Sequence, residues 1–409
     1  MDHAATTYMD ERVKEAMEKY WIENFGNPSS LHSEGRKARI ALENAREQIA
    51  STLNTRYEEI IFTNGGTESD NLAIFGVVRF LSELFKDLGK RPHIITTKIE
   101  HHAVLRPCQV LEREGMTDVT YLEVGKNGIV DPKDVEASLR PETVLVSVMY
   151  ANNEVGTIQP IQEITKVIKD FKKKKLEIEN SLKIENLKFK IDENMPYFHC
   201  DACQAAGYLE LDVKKLGVDL LTLNGSKNYG PKGIGLLYAK KGVQLSPLMY
   251  GGAQERAIRP GTENVPAIIG LAEALKNAQE DREKESERLT ELRDSFVERL
   301  LKEIPDTTLN GSKDNRLPNN INVSFAGVEG ESILLYLDEA GIACSTGSAC
   351  TSESLDPSHV IMALGGKSEL AHSSIRFSLG KENTKEDVDY VMSILPGIIE
   401  KLRSISAIR

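Results

Sequence analysis

Glu59-Ile60-Ile61-Phe62-Thr63-Asn64-Gly65-Gly66-Thr67-Glu68-Ser69 reads as a short strand, a glycine turn and the approach to a helix. Ile60 to Phe62 has the length and β-branched character of a strand, and Gly65-Gly66 punctuates it. A helix is expected from near Ser69 through Phe85. Upstream, Ala38, Leu42, Ala45, Ile49 and Leu53 recur every three to four residues, with Lys37, Arg39, Glu43 and Glu47 on other faces, which predicts a helix over 31–53. Downstream, similar short apolar runs follow at His93–Thr97, Val119–Leu122, Val144–Met149, Tyr197–Cys200 and Asp219–Leu223, separated by helical or loop segments. Short runs alternating with helices predict an α/β domain with a mostly parallel sheet. Ligands gather beyond the carboxyl ends of such strands.

The pattern changes after Pro266. A long charged helix is expected over 267–303, then a strand over 320–325, a helix over 330–340, a strand over 374–379 and a helix over 384–402. These predict a smaller α+β unit, with a boundary near residue 262. The stretch 170–194 reads as a polar insertion rather than a core element.

Bulk composition narrows the function. The chain has 409 residues, 40% of them hydrophobic, enough for two domains or one large one. Its net charge of −11 disfavours direct nucleic-acid binding. The basic run Lys172-Lys173-Lys174-Lys175 is offset by Glu177, Glu179 and Glu185 and reads as a solvated helix end. No apolar run reaches membrane-spanning length, and Met1-Asp2-His3-Ala4 is not the start of a secretory signal, so a soluble, cytoplasmic protein is expected. Five cysteines make an odd count that fits a reducing compartment and an available thiol rather than a disulfide framework.

The chemistry-bearing candidates fall largely at strand ends. Asn224-Gly225-Ser226-Lys227-Asn228-Tyr229-Gly230-Pro231-Lys232-Gly233 follows an apolar run, and a lysine so placed can condense with an aldehyde cofactor if it is partly desolvated. Gly65-Gly66-Thr67 before a helix can cradle a phosphate, or simply make a turn. Glu100-His101-His102 offers an imidazole to stack on a ring and move protons, or a merely hydrogen-bonded histidine. Asp201 can hold a pyridine nitrogen protonated, or cap a turn. Cys200 and Cys203 flank it in a C-x-x-C spacing; with only His199 as a nearby further ligand, both read as structural and no metal is expected. Ser345-Thr346-Gly347-Ser348-Ala349-Cys350-Thr351-Ser352 places a thiol among small residues that let it travel, whereas Cys344 reads as structural. Arg376 can clamp a carboxylate bidentately, or form a surface ion pair.

Taken in order, these stretches resemble the cysteine desulfurases, pyridoxal-phosphate enzymes of the class V aminotransferase group. The resemblance runs through Asp2-His3-Ala4-Ala5-Thr6-Thr7, Asn27-Pro28-Ser29-Ser30, the 62–71 stretch, Asn152-Asn153-Glu154-Val155-Gly156, Asp201-Ala202-Cys203-Gln204, Arg259-Pro260-Gly261-Thr262, the Cys350 stretch and Ala371 to Ser378. It implies an aspartate-aminotransferase-like (fold type I) large domain over 12–262, and a small domain from 1–11 and 263–409 that carries the cysteine loop. It further implies a pyridoxal 5'-phosphate held covalently by Lys227, with Asp201 on the ring nitrogen, Gln204 on the ring hydroxyl and His101 stacked on the ring. Gly66, Thr67, Ser226 and, less directly, Asn224 would meet the phosphate, with Thr262 reaching in from the second subunit of a homodimer. Asn153 and Arg376 would hold the substrate carboxylate, and Cys350 would take sulfur from L-cysteine as a persulfide, leaving alanine. The Cys350 stretch resembles the longer loop of the branch that serves iron–sulfur assembly and thiolation, with a scaffold or sulfur-carrier protein as acceptor.

The chain departs from that pattern at three places. Asn224-Gly225-Ser226 stands where many members have Ser-x-His, so a histidine contact to phosphate is missing. The 170–194 stretch lengthens a usually short connection, and few residues precede Asp2. Two rival readings stay open at this level: a selenocysteine lyase or aminotransferase of the same fold, and a non-catalytic protein that docks a scaffold.

Overall fold

The computed structural model describes residues 1–181, 194–346, 357–366 and 368–406. Its strands in the first two-thirds of the chain are β1 (Ile60–Thr63), β2 (His93–Thr97), β3 (Asp118–Leu122), β4 (Thr143–Ser147), β5 (Tyr197–Asp201), β6 (Leu220–Asn224) and β7 (Gly235–Ala239). They form one seven-stranded sheet ordered β1-β7-β6-β5-β4-β2-β3. All its neighbours are parallel except β7, which runs antiparallel to both β1 and β6. The mostly parallel sheet expected from the sequence is therefore present, with one reversed strand that the glycines flanking Ile234 disguised as turn.

Helices cover both faces, as a parallel sheet requires. They are α1 (Glu11–Ile22), α2 (Ser33–Thr52), α3 (Gly66–Asp87), α4 (His102–Arg113), α5 (Pro132–Ser138), α6 (Ile161–Ser181) and α7 (Val213–Leu216). Alternate residues of a strand point to opposite faces. Phe198 and Cys200 of β5 accordingly join a core with α2 and α6 residues such as Leu42, Ile49 and Ile164, while Tyr197 joins Leu72, Ile74 and Val77 of α3 on the other side. Each fully buried Leu, Ile or Phe contributes about 1.5–3 kcal/mol. Helix α3 starts at Gly66, three residues before the expected Ser69, which brings Gly66 and Thr67 into its first turn. Helix α6 continues to Ser181, so the part of the polar 170–194 stretch that is described, up to residue 181, is helical; 182–193 lies outside the described residues. Within the lysine run, Lys172 pairs with Asp219 at 3.2 Å and Lys174 lies 3.9 Å from Glu136.

The 39-residue helix α8 (Val265–Glu303) joins two cores. Val265, Ile268, Leu271 and Leu275 pack into the large-sheet core, while Leu289, Phe296, Val297 and Leu300 pack into a second core. That second core covers a four-stranded antiparallel sheet ordered β10-β11-β9-β8, made of β8 (Thr307–Leu309), β9 (Asn320–Phe325), β10 (Ser345–Thr346) and β11 (Ser374–Ser378). Helices α9 (Gly330–Glu339), α10 (His359–Ala363), α11 (Ser368–His372) and α12 (Lys385–Ile405) complete it. The N-terminal segment bridges the two units: Asp2 pairs with Ser378 of β11, Ala4 N–H donates to Ser378 Oγ at 2.9 Å, and Thr7 N–H donates to Ser226 O at 2.9 Å.

One buried ion pair shapes the segment that carries Thr262. Arg46 of α2 donates to both carboxylate oxygens of Glu255, at 2.9 and 2.5 Å, and Glu255 also accepts the Phe62 N–H at 2.9 Å. Glu255, Arg256 and Ala257 all have positive φ, of 42°, 60° and 61°, a run that non-glycine residues adopt only when surrounding contacts hold it. Removing one partner of a buried pair leaves an uncompensated charge. Arg46→Ala is expected to lower unfolding stability by about 3 kcal/mol, read from the urea midpoint at unchanged slope. A loss below about 1 kcal/mol would show the pair to be no more than a surface-grade contact.

Candidate active site

A cavity of about 910 Å³ opens at the carboxyl ends of the parallel strands, and most of the residues singled out from sequence line it. Gly66 and Thr67 lie in its wall, as do His101, Asn153, Asp201, Gln204, Asn224, Ser226, Lys227 and Arg376. Thr262 does not: it is exposed and lies outside this lining within the chain. Cys350 lies outside the described residues.

The anion end is the start of α3. Its N-cap is Gly65, with φ of 147° and no side-chain cap, so no side chain of the cap residue takes up the first-turn N–H groups. Those N–H groups and the helix dipole favour a bound anion. Gly66 is required for a second reason: a Cβ there would sit 2.7 Å from Cys203 Sγ. Cys203, read from sequence as structural, is indeed buried, but it also lines the cavity beneath that glycine. Asn224 adds a buried Oδ1 with no hydrogen-bond partner among the described residues.

Lys227 stands on the turn after β6. Gly225 N–H donates to Ile234 O and Gly230 N–H to Gly225 O, both at 3.0 Å, which closes the turn tightly. Lys227 Nζ donates to Ala5 O, so the N-terminal segment touches the lysine directly. The same segment holds Gln204, whose Nε2 donates to Ala4 O at 3.0 Å. Asp201 ends β5, and its Oδ1 accepts the Cys203 N–H at 2.9 Å. The turn-capping role and the cavity-lining position thus coexist in one side chain.

His101 caps α4, its Nδ1 accepting the Ala103 N–H at 3.1 Å. That bond places the proton of the neutral ring on Nε2. His102 packs its ring on His359, with centroids 4.8 Å apart, and burial holds its pKa down to about 4. Arg376 is only 2% exposed, so it is not a surface ion-pair residue. It donates from Nη1 to Asn153 O and from Nη2 to Asp2 Oδ1, each at 2.9 Å, while its Nε lacks a partner among the described residues. Asp2 was legible only as part of a motif; its pairing with Arg376 was not.

Three acids around this cavity, Asp70, Glu100 and Glu154, stand in stretches quoted from the sequence, but their burial could not be read there. Glu154, 1% exposed, accepts the Ser358 hydroxyl at 2.5 Å, and burial pushes it up to about 7. Asp70 lies in the lining with burial and the nearby Asp201 charge raising its pKa. Glu100 is fully buried; its Oε1 accepts from Thr97 Oγ1 at 2.7 Å and Met149 N–H at 3.0 Å, and burial pushes it up to about 8. Glu100 therefore ionises in the unfolded chain near its usual value but stays protonated in the fold until about pH 8. Folding stability falls across that window as the unfolded state releases the proton first. Glu100→Gln keeps the Oε1 acceptor and removes the titration. The variant is expected to gain on the wild type by about 1 kcal/mol per pH unit between pH 5 and 8, measured by urea unfolding. Parallel stability curves would refute this.

The family model for class-V aminotransferases matches residues 1–181 and 178–391. The chain belongs to the class-V aminotransferase family. It is 51% identical over 406 residues to the cysteine desulfurase IscS of Dictyoglomus turgidum, covering 99% of this chain and 95% of that protein. It is 49% identical to the cysteine desulfurase IscS of Methanosarcina thermophila, covering 99% and 93%. Among solved structures, a NifS-like protein superposes with a TM-score of 0.86 at 35% identity, covering 98% of this chain and 99% of that one. SspA in complex with cysteine superposes with a TM-score of 0.76 at 36% identity, covering 92% and 97%. This family member thus has the expected α/β architecture: a seven-stranded mixed sheet, mostly parallel, with a second small sheet.

Proposed function

We propose that this chain is a pyridoxal-phosphate-dependent cysteine desulfurase that takes L-cysteine to L-alanine and leaves the sulfur as a persulfide on Cys350. The observation that carries the reading is the convergence of Lys227, Asp201, Gln204, His101 and Arg376 with an uncapped helix N-terminus on one cavity. The donor set fits the cofactor: α3 N–H groups, Thr67 and Ser226 for its phosphate, Asp201 for its ring nitrogen, Gln204 for its ring hydroxyl and Lys227 for its aldehyde. When bound, the cofactor supplies an electron-withdrawing ring that stabilises negative charge at the substrate α-carbon.

The side chains do the rest. Arg376 and Asn153 hold the substrate carboxylate, with Arg376 itself fixed by Asp2 and the Asn153 carbonyl. His101 moves protons through Nε2, its Nδ1 being engaged by the Ala103 N–H. The Cys350 thiolate attacks the substrate sulfur: a sulfur–sulfur bond forms, the substrate carbon–sulfur bond breaks, and its electron pair is protonated at carbon to give alanine. The persulfide then passes to an iron–sulfur scaffold or a sulfur-carrier protein for thiolation.

We also infer a homodimer, in which Thr262 enters the partner's cavity. Supporting it, Thr262 is exposed, and so are Trp21, Ile22, Phe25, Leu31 and Tyr250, at 59–90%. A sedimenting mass equal to one 45.4 kDa chain would refute the dimer. Among the described residues no helix is long and apolar enough to cross a membrane, and we place the enzyme in the cytoplasm. The reading is tested by mass spectrometry of the cysteine-treated, borohydride-reduced protein. The cofactor is expected on Lys227 and one added sulfur on Cys350; cofactor-free protein would end the reading.

A further inference from the structure

The cavity floor holds more buried acid and imidazole than the proposed reaction uses. His199 and Asp201 are alternate residues of β5 and share the face that looks toward α3. His199 is fully buried, with Nδ1 2.8 Å from Ser147 Oγ on β4 and Nε2 3.0 Å from Thr222 Oγ1 on β6. The sheet register sets Thr96 opposite Ser147 and Ser147 opposite His199, so a row of polar side chains crosses the sheet just below the cavity. Asp70 of α3 closes this row from above: its carboxyl hydrogen-bonds the Thr222 side chain, and its Oδ1 lies 3.5 Å from His199 Nε2.

That contact is not an ion pair. Burial holds His199 down to about 4, so its ring is neutral, and burial together with the Asp201 charge raises Asp70. Two carboxyls in one poorly solvated site cannot both ionise. Asp201 is 7% exposed and takes a backbone N–H, whereas Asp70 is 1% exposed. Asp70 is the more deeply buried of the two, and burial favours the neutral form of its carboxyl.

We propose that Asp70 and His199 are positioning residues for Asp201: with Ser147 and Thr222 they form a buried, uncharged hydrogen-bonding layer against which the Asp201 side chain is set to meet the cofactor ring nitrogen. The inference rests on the pyridoxal-phosphate reading above. It requires a neutral hydrogen-bonding group at position 70, not a charged one, which separates it from an ordinary ion-pair role.

The test uses full-length protein reconstituted with pyridoxal phosphate, reading the cofactor Kd and the visible absorbance as a function of pH. Asp70→Asn mimics the neutral acid and is expected to keep the wild-type Kd and absorbance titration within about twofold. Asp70→Leu and His199→Leu remove the hydrogen-bonding layer and are expected to weaken cofactor binding about tenfold and to displace the absorbance titration. His199→Gln, which retains one hydrogen bond to the row, is expected to recover part of that loss. Circular dichroism checks folding, and if either leucine variant fails to fold, Thr222→Val makes the same comparison. The proposal is overturned if Asp70→Asn is as damaged as Asp70→Leu, or if the leucine variants match wild type. A wild-type protein with no visible band would instead defeat the cofactor reading, and this inference with it.

Discussion

Lys227→Ala is expected to leave a folded chain that holds no cofactor covalently and forms alanine roughly 10⁴-fold or more slowly. The size of the effect follows from the role. A side chain that makes and breaks a covalent bond in every turnover has no substitute nearby, and residual rate comes only from binding and orientation. The structure supplies the conditions for that role. The turn is closed by its own backbone hydrogen bonds, and its lysine sits half-buried at the cavity. Stability gives an independent control. The hydrogen bond from Lys227 to Ala5 O that substitution removes costs about 1 kcal/mol, small beside the stability of a folded domain. Lys227→Arg keeps a charged donor but cannot react, so it is expected to be as inactive as the alanine variant. Borohydride reduction followed by peptide mapping decides the matter: cofactor attached elsewhere, or more than about a tenth of wild-type activity in Lys227→Ala, removes Lys227 from the mechanism.

Much of this site was legible because its residues follow strands, and strands made of short β-branched runs announce themselves. Thr97, Ser147, Asp201 and Asn224 end four of the parallel strands, and Glu100, Asn153, Gln204 and Lys227 follow within a few residues. What escaped the sequence has physical causes. Strand β7 begins at Gly235, and glycines at 233 and 235 weigh against a strand although the register with β6 requires one there. Gly66 is a poor helix former, yet at the first helical position it costs little and admits the close approach of Cys203. The lysine run of α6 was legible as a helix end, but its polar continuation to Ser181 lacks the apolar periodicity that would have marked it as helix. Protonated acids are the hardest case. Nothing in the letters Asp70, Glu100 or Glu154 distinguishes them from solvated carboxylates; only burial does.

Cys350→Ala is expected to abolish persulfide formation and to lower alanine release from L-cysteine by about 10³-fold or more, while leaving cofactor binding intact. The other four cysteines give this prediction its force. Cys108, Cys200, Cys203 and Cys344 are all buried and free, and burial raises every one of their thiols, Cys344 to about 12. The thiolate is the nucleophile, so at pH 7 a thiol with that pKa is reactive for only about one molecule in 10⁵. None of the four can stand in at a useful rate. The variant also separates the rival readings, because the visible spectrum and the product report different steps. A desulfurase with Cys350→Ala still changes its spectrum on adding cysteine but stalls before releasing alanine. A selenocysteine lyase carrying the same change would continue to release alanine from selenocysteine, since the more labile carbon–selenium bond then breaks without this thiol. A scaffold-docking protein would show no spectral change in wild type or variant. Full alanine release from L-cysteine by Cys350→Ala would overturn the persulfide assignment while leaving Lys227 and the cavity untouched.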